Sequence, residues 1–232
     1  MQSKLWERVG AATGMVFVAL FLTAFGVEIK SFPASGAASA EEIAAFVEEH
    51  RSRIGLATVT YALGWTAFLW FIGSLRAALS RAESTQRLAS VGFGGGLLTA
   101  GLFLAGTALQ SEIIFADLAT KDEVTLLSQW AIFDASGGFF AITPFLRAVF
   151  VGAASLVAIR HGGLPRWLGW AGLLAAMANF VGGFDFLAPP GGSFTGHPLI
   201  DLFAFLAWVL LASGILFFRP GATGPREALA SK

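Results

Sequence analysis

An arginine in the middle of an apolar run is the first residue in this chain that could do chemistry. Arg147 divides the stretch GGFFAITPFLRAVFVGAASLVAIR (137–160) into two charge-free pieces, 135–146 and 148–159. A guanidinium stays charged and offers five N–H donors in a planar fork. Within apolar surroundings it must therefore hold an anion, a polar headgroup or a carboxylate of its own chain. Thr66, Thr99 and Asn179 stand at similar depth in other apolar runs, and Pro144 frees a backbone carbonyl nearby. These residues predict a polar centre around Arg147, with Asp134 or Asp185 as its internal carboxylate. Two readings stay open: an anion or polar-headgroup site, or a structural network joining Arg147 to one of those aspartates. Glu28, Glu112 and Asp201 form an acidic rim at the same ends of the runs as Asp134 and Asp185. Asp201, in the first turn after Pro198, also suits the positive end of a helix dipole.

Other chemistries are excluded or disfavoured by what the chain lacks. It has no cysteine, so no disulfide, thiolate metal site or cysteine nucleophile can form. His50, His161 and His197 fall in expected loops or at run edges, whereas haem needs an axial ligand at depth. No lysine lies within an apolar run, which excludes a retinal-type Schiff base. GGFD (182–185) is similar to the glycine-aspartate motif of intramembrane aspartic proteases, but Phe184 stands where the glycine should precede the acid. No nucleophile–base pair or metal-ligand cluster is visible, so no catalytic residue, metal or cofactor is expected. With 15 basic and 15 acidic residues there is no net field, and no basic patch marks a nucleic-acid partner.

The elements that must position Arg147 follow from composition. Of 232 residues, 56% are hydrophobic and only 13% charged, about half the ~25% usual in soluble domains. Charge-free runs at 9–27, 54–75, 88–111 and 167–184 each approach the ~20 residues that carry a helix across a bilayer. They do not alternate in polarity, as barrel strands would. The fold class is therefore all-α, a polytopic membrane protein. The first run is longer than the 7–15 residues of a signal-peptide core, so it reads as a retained span.

Does the stretch around Arg147 cross the bilayer? If it does, there are six spans, at about 6–27, 54–76, 88–112, 130–159, 166–186 and 198–218. Lys4, Arg8, Arg76, Arg81, Arg87, Arg160, Arg166, Arg219, Arg226 and Lys232 then share the side of the termini, ten against Lys30, Arg51, Arg53 and Lys121. If it does not, the division is nine against five at best. Positive charge marks the cytoplasmic side, and the first arrangement has the larger bias. Both termini are therefore expected in the cytoplasm. Arg147 is thirteen residues from Arg160, or about 20 Å along a helix, and so near mid-membrane. A charge there costs at least ~2.5–3.5 kcal/mol, so it must face the bundle interior.

Two further features complete the plan. SAEEIAAFVEEHRSRI opens with a capping box, Ser39 and Glu42, and carries an apolar stripe of Ile43, Phe46, Val47 and Ile54. This predicts a short amphipathic helix at about 40–53, on the outer membrane face or covering the bundle. GFGGG (92–96) contains a small-xxx-small pair suited to close helix packing. It lacks the Lys-Ser/Thr of a phosphate loop.

SAEEIAAFVEEHRSRI, WFIGSLRAALSRAE, GFGGG and LPRWLGW together resemble a group of small bacterial six-span integral membrane proteins, a domain-of-unknown-function class. The resemblance implies six spans and a bacterial inner membrane. It supplies no reaction and no catalytic residues. The expected partners are the lipid bilayer and either a second membrane protein or further copies of this chain. Three functions remain open: a non-enzymatic lipid- or partner-binding membrane subunit, a small-solute or ion transporter or channel using Arg147 and the outer acids, and an intramembrane enzyme.

Overall fold

A computed structural model describes residues 2–27, 39–115, 122–187 and 199–218. They form six α-helices: α1 (Gln2–Val27), α2 (Ala40–Ala82), α3 (Arg87–Phe115), α4 (Glu123–Arg160), α5 (Arg166–Gly182) and α6 (Ile200–Phe218). Each helix packs on the next and α6 closes on α1, while α4 touches both α2 and α6 across the ring. Alternate helices run in opposite directions. We call the end where α1 begins and α6 ends basal, and the opposite end distal.

Five of the six helices are long and apolar enough to cross a membrane; α5, with 17 residues, is shorter. It was expected to run to 186 but ends at Gly182, where Gly182 and Gly183 supply no helix-favouring side chain. A 3-10 turn, Asp185–Leu187, follows.

The expected amphipathic helix at 40–53 is not a separate element. The Ser39–Glu42 capping box does start a helix, with both reciprocal hydrogen bonds made. That helix then runs unbroken for 43 residues into the bundle, because no glycine or proline interrupts it before Gly55. Its apolar stripe is covered by protein: Ile43 and Val47 pack on Leu126, Trp130 and Phe133. Those three residues belong to a second unexpected extension. Capped by Asp122, whose carboxylate accepts from the Thr125 backbone N–H at 3.0 Å, α4 begins at Glu123, seven residues before the expected start. At 1.5 Å per residue α2 and α4 are about 65 and 57 Å long. Their distal ends form a two-helix lobe with its own small core.

Glycine sets the closest approach in the ring. A Cβ on Gly95 of α3 would lie 2.9 Å from the Phe150 backbone nitrogen and 3.1 Å from the Leu146 carbonyl oxygen of α4. The expected packing role of GFGGG is thus seen, with Gly95 tighter than the Gly92–Gly96 pair. Towards the basal end the bundle is filled by rings: Phe17, Phe68, Phe71, Phe150 and Phe205 are all 2% exposed or less.

The α2–α3 turn is held by one buried acid. Glu83 accepts from the backbone N–H of Leu88 (3.0 Å) and Ala89 (2.9 Å) and from the Thr85 hydroxyl (3.1 Å), and so caps the start of α3. Burial raises its pKa, but these bonds, with a smaller electrostatic contribution from nearby His161, outweigh burial and hold the carboxyl below its ordinary value. A depressed folded pKa stabilises above the unfolded value, and the benefit is lost as pH falls through the folded one. Glu83→Ala should therefore cost about 1–2 kcal/mol at neutral pH, as loss of a helix cap does. The gap to the parent protein should shrink as pH falls below about 4.5. Thermal unfolding in detergent at pH 7 and at pH 3.5 measures both; a gap unchanged between them refutes the capping role.

Candidate functional site

Arg147 lies on the ring-facing side of α4 and is 6% exposed. Its Nη2 donates to Asp201 Oδ2 at 2.6 Å, across the bundle in the first turn of α6. The carboxylate that Arg147 grips is therefore Asp201 of the acidic rim, and not Asp134 or Asp185. Three elements place Asp201. Gly182 at the end of α5 leaves room for it: a Cβ there would lie 2.9 Å from the aspartate Cβ and Cγ. Asn179, one turn earlier, donates from Nδ2 to the Asp201 backbone carbonyl at 2.9 Å. Phe205, four residues on along the same face of α6, carries the guanidinium carbon 5.6 Å above its ring centre, within cation–π range.

Pro144 frees a carbonyl as expected, but Thr143 and not Arg147 takes it. It has no N–H for the Phe140 carbonyl one turn back, and the Thr143 hydroxyl takes up that acceptor at 2.7 Å.

On the distal side of the ion pair lies a cavity of about 380 Å³. Its walls are aromatic: Phe21 and Phe25 of α1, Tyr61 and Trp65 of α2, Phe103 of α3 and Phe140 of α4. Arg147 and Asp201 line its floor; Gln110, Gly137, Asp185 and Leu199 line its distal part. Two donors around it have no hydrogen-bond acceptor among the described residues, Arg147 Nε and the Trp65 indole nitrogen. The site thus combines a wide apolar wall with a few polar groups, Arg147 and Asp201 at the floor and Gln110 and Asp185 in the distal part, the composition of a small-molecule pocket.

The predicted polar centre is only partly assembled. Asn179 joins it through Asp201, and Asp185 lines the cavity from the turn after α5. Thr99 is buried, but its hydroxyl goes to the Gly95 carbonyl of its own helix. Thr66 is exposed on the outside of the ring and bonds back to Ala62. Thr66 thus stands on the outer face of its helix, whereas Thr99 is buried but spends its hydroxyl on its own backbone. Asp134 is exposed beside the distal lobe, and Glu112 is exposed near the end of α3. Glu28 lies outside the described residues.

Sequence reasoning missed Gly182 and the aromatic wall. Phe, Tyr and Trp are frequent throughout the chain, so only the fold separates those lining the cavity from those filling the core. Asp201 and Phe205 did carry a signal, an acid and an aromatic ring one helical turn apart at the start of a span. Among the described residues no group of three His, Asp or Glu side chains is placed to hold a metal ion. No family model, curated protein or solved structure matches this chain.

Proposed function

We propose that this chain is a six-span protein of the bacterial inner membrane, with both termini in the cytoplasm, that binds a small amphiphile in its distal cavity. It is a binding subunit and not an enzyme. The observation that carries this reading is the cavity itself: about 380 Å³, within the ~300–1,000 Å³ of ligand pockets, aromatic on its walls, with an ion pair at its floor and Asp185 in its distal part. The filling of the basal half by Phe68, Phe71, Phe150 and Phe205 supports binding from one side over conduction. In this reading α5 also spans, which brings the number of spans to six; its 17 residues are sufficient where the crossing is shortest, and the distal lobe projects outside the cell.

The chain has no native cysteine, which makes the test direct. Cysteines introduced singly at Ser52 in the lobe, Ala141 in the cavity wall and Ser84 in the basal turn are exposed to a small impermeant thiol reagent in intact cells. Ser52→Cys and Ala141→Cys should react, and Ser84→Cys only after lysis. Adding Gly137→Phe should slow the Ala141→Cys reaction at least about tenfold by filling the cavity, since a Cβ at Gly137 meets nothing within 4 Å. Labelling of Ser84→Cys in intact cells overturns the orientation; an unreactive Ala141→Cys overturns the open cavity.

A further inference from the structure

The floor of the cavity points to the charge type of its ligand, and this inference rests on the binding role just proposed. Arg147 spends one of its five N–H groups on Asp201. Its Nε and the Trp65 indole nitrogen are buried and have no acceptor among the described residues, so two donors stand unpaired beside the cavity. It also has acceptor capacity, because an ionised carboxylate has about four lone-pair sites and Asp201 Oδ2 receives one guanidinium bond. At the floor donors and acceptor therefore stand side by side, already compensating each other's charge; the cavity's other acid, Asp185, lies in its distal part and is itself engaged.

A ligand of net charge would upset that balance where the dielectric is low. An anion would compete with Asp201 for Arg147 and leave a carboxylate exposed to apolar walls, and a cation would do the converse to Arg147. Both cost more than leaving the pair intact. A ligand with both charges, net neutral, meets the floor without breaking it. Its acidic oxygens take the spare N–H groups, while its cationic group sits against the carboxylate. The rings of Tyr61, Phe103 and Phe140 offer π faces to a cationic group and apolar surface to the rest of the molecule. We infer that the distal cavity binds a zwitterionic amphiphile, one acidic oxygen group and one ammonium group joined to an apolar part.

That chemistry has two sources, a zwitterionic lipid and a free zwitterionic solute, and one experiment separates them. The full chain in a non-ionic maltoside micelle is titrated with four probes while its thermal midpoint is followed. The probes are dihexanoylphosphatidylcholine, glycerophosphocholine, dihexanoylphosphatidylglycerol and hexyltrimethylammonium. The same series is run on Gly137→Phe, which fills the cavity and leaves the ion pair in place. Dihexanoylphosphatidylcholine at saturation should raise the midpoint by roughly 5–10 °C, an effect lost in Gly137→Phe. The anionic and cationic probes should bind at least about tenfold more weakly. A matching response to glycerophosphocholine, which has no apolar part, would assign the site to a free solute and overturn the amphiphile; its absence assigns the site to the lipid. If the anion or the cation binds as tightly as the zwitterion, and Gly137→Phe abolishes it, the charge inference falls while the cavity reading stands. If no probe gives a shift sensitive to Gly137→Phe, both fall.

Discussion

Arg147→Ala lowers stability by roughly 3–5 kcal/mol, the cost of leaving one member of a buried ion pair without its partner. Asp201→Ala does the same and is the worse of the two, since an unpaired guanidinium cannot shed its proton as a carboxyl group can gain one. The double variant recovers much of the loss because no lone charge remains. The side chains are 8% and 7% exposed, so water does little to screen the pair. Asp134→Ala combined with Arg147→Ala is additive, since Asp134 is exposed and takes no part. A double-mutant cycle in detergent, read by thermal unfolding, decides the matter. Additivity between Arg147 and Asp201 would show that the pair contributes nothing.

Gly95 is the second position where a small change has a large expected effect. Any side chain there meets backbone, the Phe150 nitrogen at 2.9 Å and the Leu146 carbonyl oxygen at 3.1 Å. Backbone cannot rotate aside, so α3 and α4 must separate. Gly95→Val should cost about 3 kcal/mol or more, at the upper end of overpacking penalties. Because Leu146 precedes Arg147, the separation should also weaken ligand binding in the cavity. Gly101 on the same helix is the control: a Cβ there meets nothing within 4 Å. Gly101→Ala should be neutral or stabilise by up to ~1 kcal/mol through helix propensity. Equal effects at the two positions would refute close packing as the reason for Gly95.

The helical class and the approximate helix positions were legible because a run of some twenty apolar residues has few other uses. Arg147 was legible for the converse reason, as the one charge such a run does not tolerate on its surface. Its partner was not. Sequence distance gives depth along a span but not rotation about its axis. Depth alone therefore pairs Arg147 with Asp134 or Asp185 and leaves Asp201 to the helix dipole. The same gap put Thr66 into the centre although its side chain faces outward. The distal lobe was hidden for a different reason. An amphipathic stripe such as Ile43 and Val47 records that something apolar covers it. It does not record whether that cover is lipid or, as found, Leu126, Trp130 and Phe133.

The ion pair also carries a clock. A ribosome adds residues from the N-terminus onward at roughly 5–20 per second, and Asp201 follows Arg147 by 54 positions. For roughly 3–11 seconds of synthesis the fourth helix exists with its arginine and without the carboxylate that will neutralise it. The wait at the ring's closing seam is longer still: the Ser213 hydroxyl that donates to the Ala11 carbonyl arrives 202 residues later. Helices α1 to α5 are therefore made before the residue that seals either contact exists. The sixth helix, last off the ribosome, is the one that ends the exposure of that charge and closes the circle.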